Sequence, residues 1–305
     1  MARYLIKRVL LAIVTIWAVA TLTFFLMNAV PGGPFLSEKA VSPEATAALE
    51  EKYGLDKPLV TRYFTYLGDA IHGDFGDSLK QRGRTVSEII GSKFPTSAAI
   101  GGLAIVVSLT LGTLLGCIAA VNKGKVSDSI ISVISTLGIA VPSFVLCTFL
   151  LYIFGVKLKW LPTMGLTSVA NYILPVIALS LYPTSSIMRL VRSSMLDVLG
   201  QDYIRTAKAK GLSKGSQLFK HALRNAILPV ITILGPMIAS ILTGSFIIEK
   251  IFVIPGLGGE FINAIQGRDY TLIMGTTIFV ATLLIVLNLV VDIVYKIVDP
   301  RITFE

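Results

Sequence analysis

The sequence predicts an all-α membrane protein with six transmembrane helices. Of its 305 residues, 54% are hydrophobic and only 15% are charged, and the mean hydropathy is +0.77. Soluble domains carry about 25% charged residues, so this composition is not typical of them. Six apolar runs reach the roughly 20 residues that a helix needs to cross the hydrocarbon core. Positive charge is also concentrated in alternate connections, which is the pattern of a multi-pass protein.

The six apolar runs define the predicted spans in order. The first follows Arg3, Lys7 and Arg8 and contains 22 residues, more than the roughly 7 to 15 of a signal-peptide core, so we interpret it as a retained helix. The third is long enough to span with tilt, and the fourth is short and contains Pro175 and Pro183. The predicted spans are 9–30, 98–121, 129–156, 171–188, 226–248 and 270–296.

The charges of the connections predict the orientation. Segment 1–8 has three basic residues and no acid, 122–128 has two against one acid, and 189–225 has eight against two. The alternate connections, 31–97, 157–170 and 249–269, are nearly balanced or carry few charges. Cytoplasmic loops keep the excess of Lys and Arg. We therefore expect both termini, residues 1–8 and 297–305, to lie in the cytoplasm. Charge that alternates across apolar runs favours contact with the lipid bilayer over binding of nucleic acid.

Several function classes lack their motifs here. Gly124-Lys125 is followed by Val126 and Ser127, which does not match the phosphate-binding G-x-x-x-x-G-K-[ST] pattern. The first five spans contain no ionisable group of the kind that marks a proton or ion relay. A nucleophile elbow, an HExxH motif and paired carboxylates are also missing. We therefore expect a non-catalytic chain without its own energy source or bound cofactor; a stand-alone carrier or channel is the alternative, and a membrane enzyme a distant third.

Smaller patterns within the spans and the outer loop predict packing and turns. Cys117 and Cys147 are expected to pack inside helices, and Gly112 and Gly116 have the spacing that lets two helices approach closely. The outer loop 31–97 is expected to be ordered, with short helices at 43–49 and 60–71. His72 lies among acids that could suggest a metal site, but the glycine-rich turns explain this stretch equally well. Turns are expected at Gly54, Gly73 and Gly76.

The most informative segment is 203–229, YIRTAKAKGLSKGSQLFKHALRNAILP, which has six basic residues and no acid. Asp202 can cap a short helix that runs through Ala209, and Gly211 offers the left-handed residue that ends it. Ser213 can cap a second helix that continues to the membrane at Pro229. The segment is therefore predicted to form a helix, a tight turn and a helix on the cytoplasmic face.

The first of these helices has a narrow stripe of one aromatic and two small residues. Tyr203, Ala207 and Gly211 fall at positions i, i+4 and i+8, flanked by Arg205 and Lys208. This shape is suited to a shallow groove on a partner protein. The alternative is a basic loop that lies on anionic lipid headgroups, for which charge alone would suffice.

At these residues the chain resembles the membrane subunits of ABC importers. Their cytoplasmic E-A-A-x-x-x-G loop contains the coupling helix, which lies in a groove of the ATP-hydrolysing subunit. Arg205, Thr206 and Ala207 stand at the E-A-A positions and Gly211 at the glycine. Arg205 replaces the acid, and the proline that follows is delayed to Pro229. In both departures the chain resembles the peptide and nickel branch of this family. The loop of that branch is similar to YIRTAxAKGL followed by HALRNxxLP.

The resemblance extends over most of the chain and carries several implications. The stretches PGGPF at 31–35, HGDFGDS at 72–78, VPSF at 141–144 and IFVIPGLGGEF at 251–261 are similar to the oligopeptide and dipeptide permease B-like family. It implies a type I ABC importer transmembrane fold, with the transmembrane domain at 98–296, in a prokaryotic plasma membrane. The implied coupling residues are Tyr203, Arg205, Thr206, Ala207, Lys208, Gly211 and Leu212.

The resemblance also implies partners and a substrate class. The partners would be a second homologous permease, two cytoplasmic ATPases that carry ATP and Mg, and an extracytoplasmic peptide-binding protein. Closure of the ATPases on ATP would move the coupling helix and open the cavity outward. The implied substrate is an oligopeptide, with dipeptide or nickel as alternatives within the same family.

Overall fold

The computed structural model describes residues 2–31, 33–35, 43–242 and 246–298, so residues 299–305 of the predicted tail and parts of the outer loop and of the fifth span lie outside the described residues. Apart from one isolated bridge between Asp77 and Thr85, the regular structure described is helical. Two of the helices are π-helical turns, named π1 and π2 here. In chain order the helices are α1 Ala2–Ala29, α2 Pro43–Lys52, α3 Leu59–Ile71, α4 Val86–Val121, α5 Val126–Ala140, α6 Ser143–Leu150, π1 Leu151–Lys157, α7 Ala170–Leu199, α8 Asp202–Ala209, π2 Ser216–Ala222, α9 Leu223–Ala226, α10 Leu228–Leu242, α11 Phe246–Ile251, α12 Leu257–Gly267 and α13 Tyr270–Val298.

The described helices provide five candidate membrane spans, or six if one bent pair counts as a span. The five are Ile6–Ala29, Val86–Val121, Ala170–Leu199, Leu228–Ile251 and Tyr270–Val291. The all-helical membrane class predicted from the composition is thus confirmed. Helices α2 and α3 fall in the connection after α1, where two short helices were expected.

The segment expected as one tilted helix at 129–156 is instead broken. Helix α5 ends at Ala140 and α6 begins at Ser143, and the two axes are bent by 107°. Val141 adopts an extended conformation, with φ −78° and ψ 121°. Pro142 follows it, and a proline disfavours the helical conformation of the residue before it. The segment is therefore interrupted at Pro142 and is not one continuous helix.

The described residues form two compact units. One comprises residues up to Ser97 together with Pro255–Val286, and the other comprises Ala98–Ile254 together with residues from Leu287. In the first unit, Asp269 caps α13 by accepting a hydrogen bond from Leu272 N at 3.2 Å. Its buried carboxylate also accepts from Leu79 N at 3.1 Å and from the Ser78 hydroxyl. This contact holds the turn before α4 against the start of α13.

Helix α7 is the central element of the second unit. Thirteen of its thirty residues are buried, although the helix includes Pro175 and Pro183. Helix α4 approaches it closely: a Cβ added to Gly112 would lie 2.8 Å from Ile187 Cβ, and one added to Gly116 would lie 2.8 Å from Met188 O. The close approach predicted from the glycine spacing is confirmed. Cys117 and Cys147 are buried, also as predicted.

Candidate functional site

The predicted helix, turn and helix of segment 203–229 is present. Helix α8 ends in a Schellman motif, in which Leu212 N donates to Ala207 O at 3.3 Å and Gly211 N donates to Lys208 O at 3.0 Å. Gly211 has φ +75°, the left-handed conformation that was predicted for it. The turn therefore depends on a residue without a Cβ penalty at position 211.

One of the two predicted helix caps is correct. Ser213 accepts a hydrogen bond from Ser216 N at 3.3 Å, so it caps the second helix, which begins as π2 and continues through α9 into α10. Asp202 does not cap the first helix. The N-cap is Gln201, in an extended conformation and without a side-chain cap, and Asp202 is the first helical residue. There the Asp202 carboxylate accepts from Arg205 Nη1 at 3.4 Å.

Two faces of α8 have different environments. Ile204 and Ala207 are buried, at 7% and 5% exposure, and Ile204 belongs to a cluster that includes Ala222 and Ala226 of the second helix. Ala207 therefore lies on the covered face of α8, which packs on the chain's own second helix, and not on the exposed face that the spacing suggested for a partner. The other predicted coupling residues are exposed: Tyr203, Arg205, Thr206, Lys208, Gly211 and Leu212.

The exposed face of α8 is basic and has an apolar edge. Arg205 and Lys208 supply positive charge, and the Arg205 contact with Asp202 is between largely exposed side chains, where ion pairs contribute little. Leu212 and Phe219 are exposed apolar side chains of the turn and of π2. The hydroxyl of Tyr203 accepts from Asn225 Nδ2 at 2.8 Å, which joins α8 to α9. The face is therefore suited to contact by shape and charge.

The structure contains an ion pair between α5 and α7 that was not predicted from the sequence. Asp128, in the first turn of α5, is buried and accepts two hydrogen bonds from Arg192 of α7, from Nε at 2.6 Å and from Nη2 at 2.8 Å. Gly124 N donates to the same carboxylate at 3.0 Å. The pair fixes the start of α5 to the part of α7 that leads to α8. Its only sequence signal is one acid in a short basic connection.

A cavity with both polar and apolar lining residues lies beside this ion pair. It has a volume of about 510 Å³ and is bounded by α5 and α7. Arg189 of α7 reaches into it and donates from Nη2 to the Thr136 hydroxyl at 3.4 Å. The lining residues are Ile131, Ser132, Ser135, Thr136, Met188, Arg189 and Arg192.

The stretch around His72 is a set of turns. Gly54, Gly73 and Gly76 have positive φ, as their predicted turn positions require. His72 Nδ1 lies 2.8 Å from Gly68 O, and Asp74 accepts from Gly76 N at 2.9 Å. Among the described residues, no group of three or more His, Cys, Asp or Glu side chains is arranged to hold a metal ion.

Two family descriptions match the chain. Residues 112–304 match the binding-protein-dependent transport system inner membrane component, and residues 1–101 match the N-terminal part of the corresponding membrane component. Together they extend over nearly the whole sequence, and the first of them includes the helix-turn-helix segment.

Individual relatives match over their full length. The dipeptide transport system permease protein DppB of Bacillus subtilis is 47% identical over 302 residues, which is 99% of this chain and 98% of that protein. The oligopeptide transport system permease protein OppB of Haemophilus influenzae is 45% identical over 306 residues, covering all of both chains. The OppB protein of Escherichia coli K12 is 40% identical, again over both whole chains.

A solved structure shares the fold. The MetNI methionine ABC transporter in an inward-facing conformation superposes with a TM-score of 0.58, covering 69% of this chain and 96% of that chain. At 15% sequence identity this likeness concerns the fold alone, which is that of a type I ABC importer membrane subunit. The chain therefore belongs to the family of binding-protein-dependent transport system inner membrane components.

Proposed function

We propose that this chain is the membrane-spanning permease subunit of an ATP-driven oligopeptide importer and forms half of its translocation pathway. The observation that carries this proposal is the match of 40 to 47% identity, over whole chains, to permeases whose names specify oligopeptide or dipeptide transport. Because both kinds of relative match about equally, a dipeptide substrate is the alternative, and nickel is the further alternative that the resemblance of the loop implies.

The exposed face of α8 is proposed as the ATPase contact. Tyr203, Arg205, Thr206, Lys208, Gly211 and Leu212 would contact a groove of a cytoplasmic ABC ATPase, with Ala207 acting from beneath by packing α8 on the second helix. ATP and Mg belong to the two ATPases, and this chain is a non-catalytic subunit. The remaining partners are a second homologous permease and an extracytoplasmic peptide-binding protein.

We propose that the chain lies in a prokaryotic plasma membrane with both termini cytoplasmic. The excess of Lys and Arg in alternate connections supports this orientation, and the connection after α7, residues 200–225, has six basic residues against one acid even without the arginines within that helix. Cysteine substitution tests it in a variant without Cys117 and Cys147. An impermeant thiol reagent added to intact cells should modify a cysteine at the exposed His72 and spare one at the exposed Ser213. The reverse pattern would overturn the orientation.

Purification of the chain from its native membrane tests the assembly. We expect it to be isolated in detergent with a homologous permease and with an ATPase that contains the G-x-x-x-x-G-K-[ST] motif. A carrier or channel, the alternative from a different class, needs no ATPase. Purified chain that carries no such subunit under conditions that keep relatives of this family assembled would favour the carrier. The purified assembly should then be offered peptides of different length and nickel, to separate the substrates within the family.

A further inference from the structure

Helix α7 carries a polar stripe on its accessible face. Tyr182, Ser186, Arg189 and Ser193 follow one another at spacings of four, three and four residues, so they lie on one side of the helix. Tyr182, Arg189 and Ser193 are exposed and Ser186 is half-buried. A stripe of hydroxyls and one cation along a membrane helix is unsuited to hydrocarbon. It is suited to a water-filled path.

The cavity between α5 and α7 is lined by two arginines, and Arg189 is the one whose charge is not paired with a described acidic side chain. The other arginine there, Arg192, is neutralised by the bidentate contact with Asp128. Among the described residues Arg189 forms no ion pair, and its hydrogen bond is to the neutral hydroxyl of Thr136. A guanidinium has five N–H donors, so most of those on Arg189 remain available to a ligand.

The side chain of Arg189 is directed along the span. Helices α5 and α7 are antiparallel, because Asp128 at the start of α5 meets Arg192 and Thr136 meets Arg189, which is earlier in α7. Thr136 is eight residues, or about 12 Å, further along α5 than Asp128. The guanidinium therefore points toward the N-terminal part of α7 and into the span, and away from the charged end where an arginine would reach water.

We propose that Arg189 lines the translocation path and binds the C-terminal carboxylate of the peptide in this cavity, an inference that rests on the proposed function. A guanidinium binds a carboxylate through two parallel hydrogen bonds, and the hydroxyls of Ser132 and Thr136 border the same space. The volume of about 510 Å³ lies within the roughly 300 to 1,000 Å³ of small-ligand pockets, enough for the end of a peptide. Every linear peptide has this carboxylate, so the site recognises peptides of any sequence.

An anionic lipid headgroup shares the charge but fits the surroundings less well. The exposed apolar residues Ile130, Ile134 and Leu137 of α5 lie about 100° or more around that helix from Ser132 and Thr136. Acyl chains would contact the apolar side, whereas a headgroup in the cavity would leave its acyl chains along the polar stripe of α7.

The test uses the complete importer, with permease pair, ATPases and binding protein, in proteoliposomes. ATP-driven uptake is measured for one peptide with a free C-terminal carboxylate and for the same peptide as its C-terminal amide. Arg189→Gln should lower uptake of the acid about fivefold or more, since hydrogen bonds to a charged group are among the stronger ones. It should leave amide uptake within about twofold of the wild type, and Arg189→Lys should retain part of the difference.

Two comparisons keep the outcome specific. The binding protein is unchanged, so its own preference cancels in the ratio of variant to wild type. Lys125→Gln removes an exposed positive charge outside the cavity and should lower neither uptake. The measurements are repeated in phosphatidylcholine alone and with phosphatidylglycerol added, and a loss specific to the acid in both lipids supports the peptide site.

Other results would overturn the proposal that Arg189 binds the C-terminal carboxylate of the peptide. An equal loss for acid and amide, or a loss that appears only with phosphatidylglycerol, would assign the cavity to a structural role or to a lipid headgroup. No change in either uptake would remove Arg189 from the path. In each of these cases wild-type uptake of peptide persists, so the proposed function stands. Only a wild-type complex that fails to transport peptide with ATP would contradict the function itself.

Discussion

Asp128 and Arg192, 64 residues apart in the sequence, form a bidentate ion pair with N–O distances of 2.6 and 2.8 Å. Asp128 lies in the first turn of α5, and Arg192 lies in α7 ten residues before the start of α8. The side chains are 7% and 31% exposed, so the carboxylate is shielded from water more than the guanidinium is. The contact joins the broken helix pair α5 and α6 to the helix that leads to the basic helix-turn-helix, and movement of α8 would therefore reach α5 through it.

Removal of this carboxylate should loosen the α5–α7 pair. Asp128→Asn leaves the half-buried Arg192 guanidinium without a counter-charge, and we expect a lower melting temperature of the purified chain in detergent. Asp197→Asn is the matched control, since it removes an exposed carboxylate from the same helix α7 and should change little. Equal melting temperatures for both variants would mean that the ion pair does not hold these helices together.

The contact of α4 with α7 predicts opposite effects for two glycines of α4. Gly112→Ala would bring a Cβ to 2.8 Å from Ile187 and 2.9 Å from Thr184 O, so it should destabilise the chain by about 1–3 kcal/mol through overpacking. Gly102→Ala meets nothing within 4 Å and should be neutral or stabilise by up to about 1 kcal/mol through helix propensity. Thermal unfolding in detergent measures both. Similar values for the two variants would show that the approach at Gly112 is not tight.

Substitutions at Gly211 can separate the cost of its left-handed backbone conformation from the loss of a contact with the ATPase. A Cβ there meets nothing within 4 Å, so Gly211→Ala costs only the left-handed conformation, about 1–2 kcal/mol. Gly211→Asn should cost less, because asparagine tolerates this conformation. Gly211→Arg adds bulk and charge on an exposed surface and should lose capture of the ATPase in detergent beyond the loss seen with alanine. Equal capture by the arginine and alanine variants would place the glycine outside the partner contact.

The two faces of α8 predict different failures for one large side chain. Ala207→Trp overpacks the interface with the second helix and should lower the melting temperature of the chain itself. Thr206→Trp points to solvent, so it should keep the melting temperature and lose ATPase capture. If Thr206→Trp still captures the ATPase and supports uptake, the exposed face of α8 is not the coupling surface.

Sequence reasoning was reliable where one residue type is required by the backbone. Gly211 and Gly54 were predicted at turns because left-handed conformations favour glycine, and both have positive φ. The spans were predictable from composition, because lipid requires long apolar helices. The spacing of Gly112 and Gly116 likewise predicted close packing, although it could not identify α7 as the partner.

The errors concern choices that tertiary contacts decide. The spacing of Tyr203, Ala207 and Gly211 could not tell which side of α8 would be covered, and the covered side is that of Ile204 and Ala207, which packs on the second helix. The N-cap of α8 is one residue earlier than the predicted Asp202, because Gln201 takes the extended conformation. Pro175 and Pro183 leave α7 continuous, whereas Pro142 breaks a helix, and local sequence does not distinguish the two outcomes. Asp128 and Arg192 are paired only by the fold.

The most direct measurement of the central claim is uptake of a labelled oligopeptide into proteoliposomes, comparing the complete assembly with the purified chain alone. We predict uptake by the assembly that requires ATP, the binding protein and a catalytically intact ATPase, and no uptake by the chain alone with either a proton or a sodium gradient. Gradient-driven uptake by the chain alone, or uptake by the assembly that continues when the ATPase is inactivated, would contradict the account.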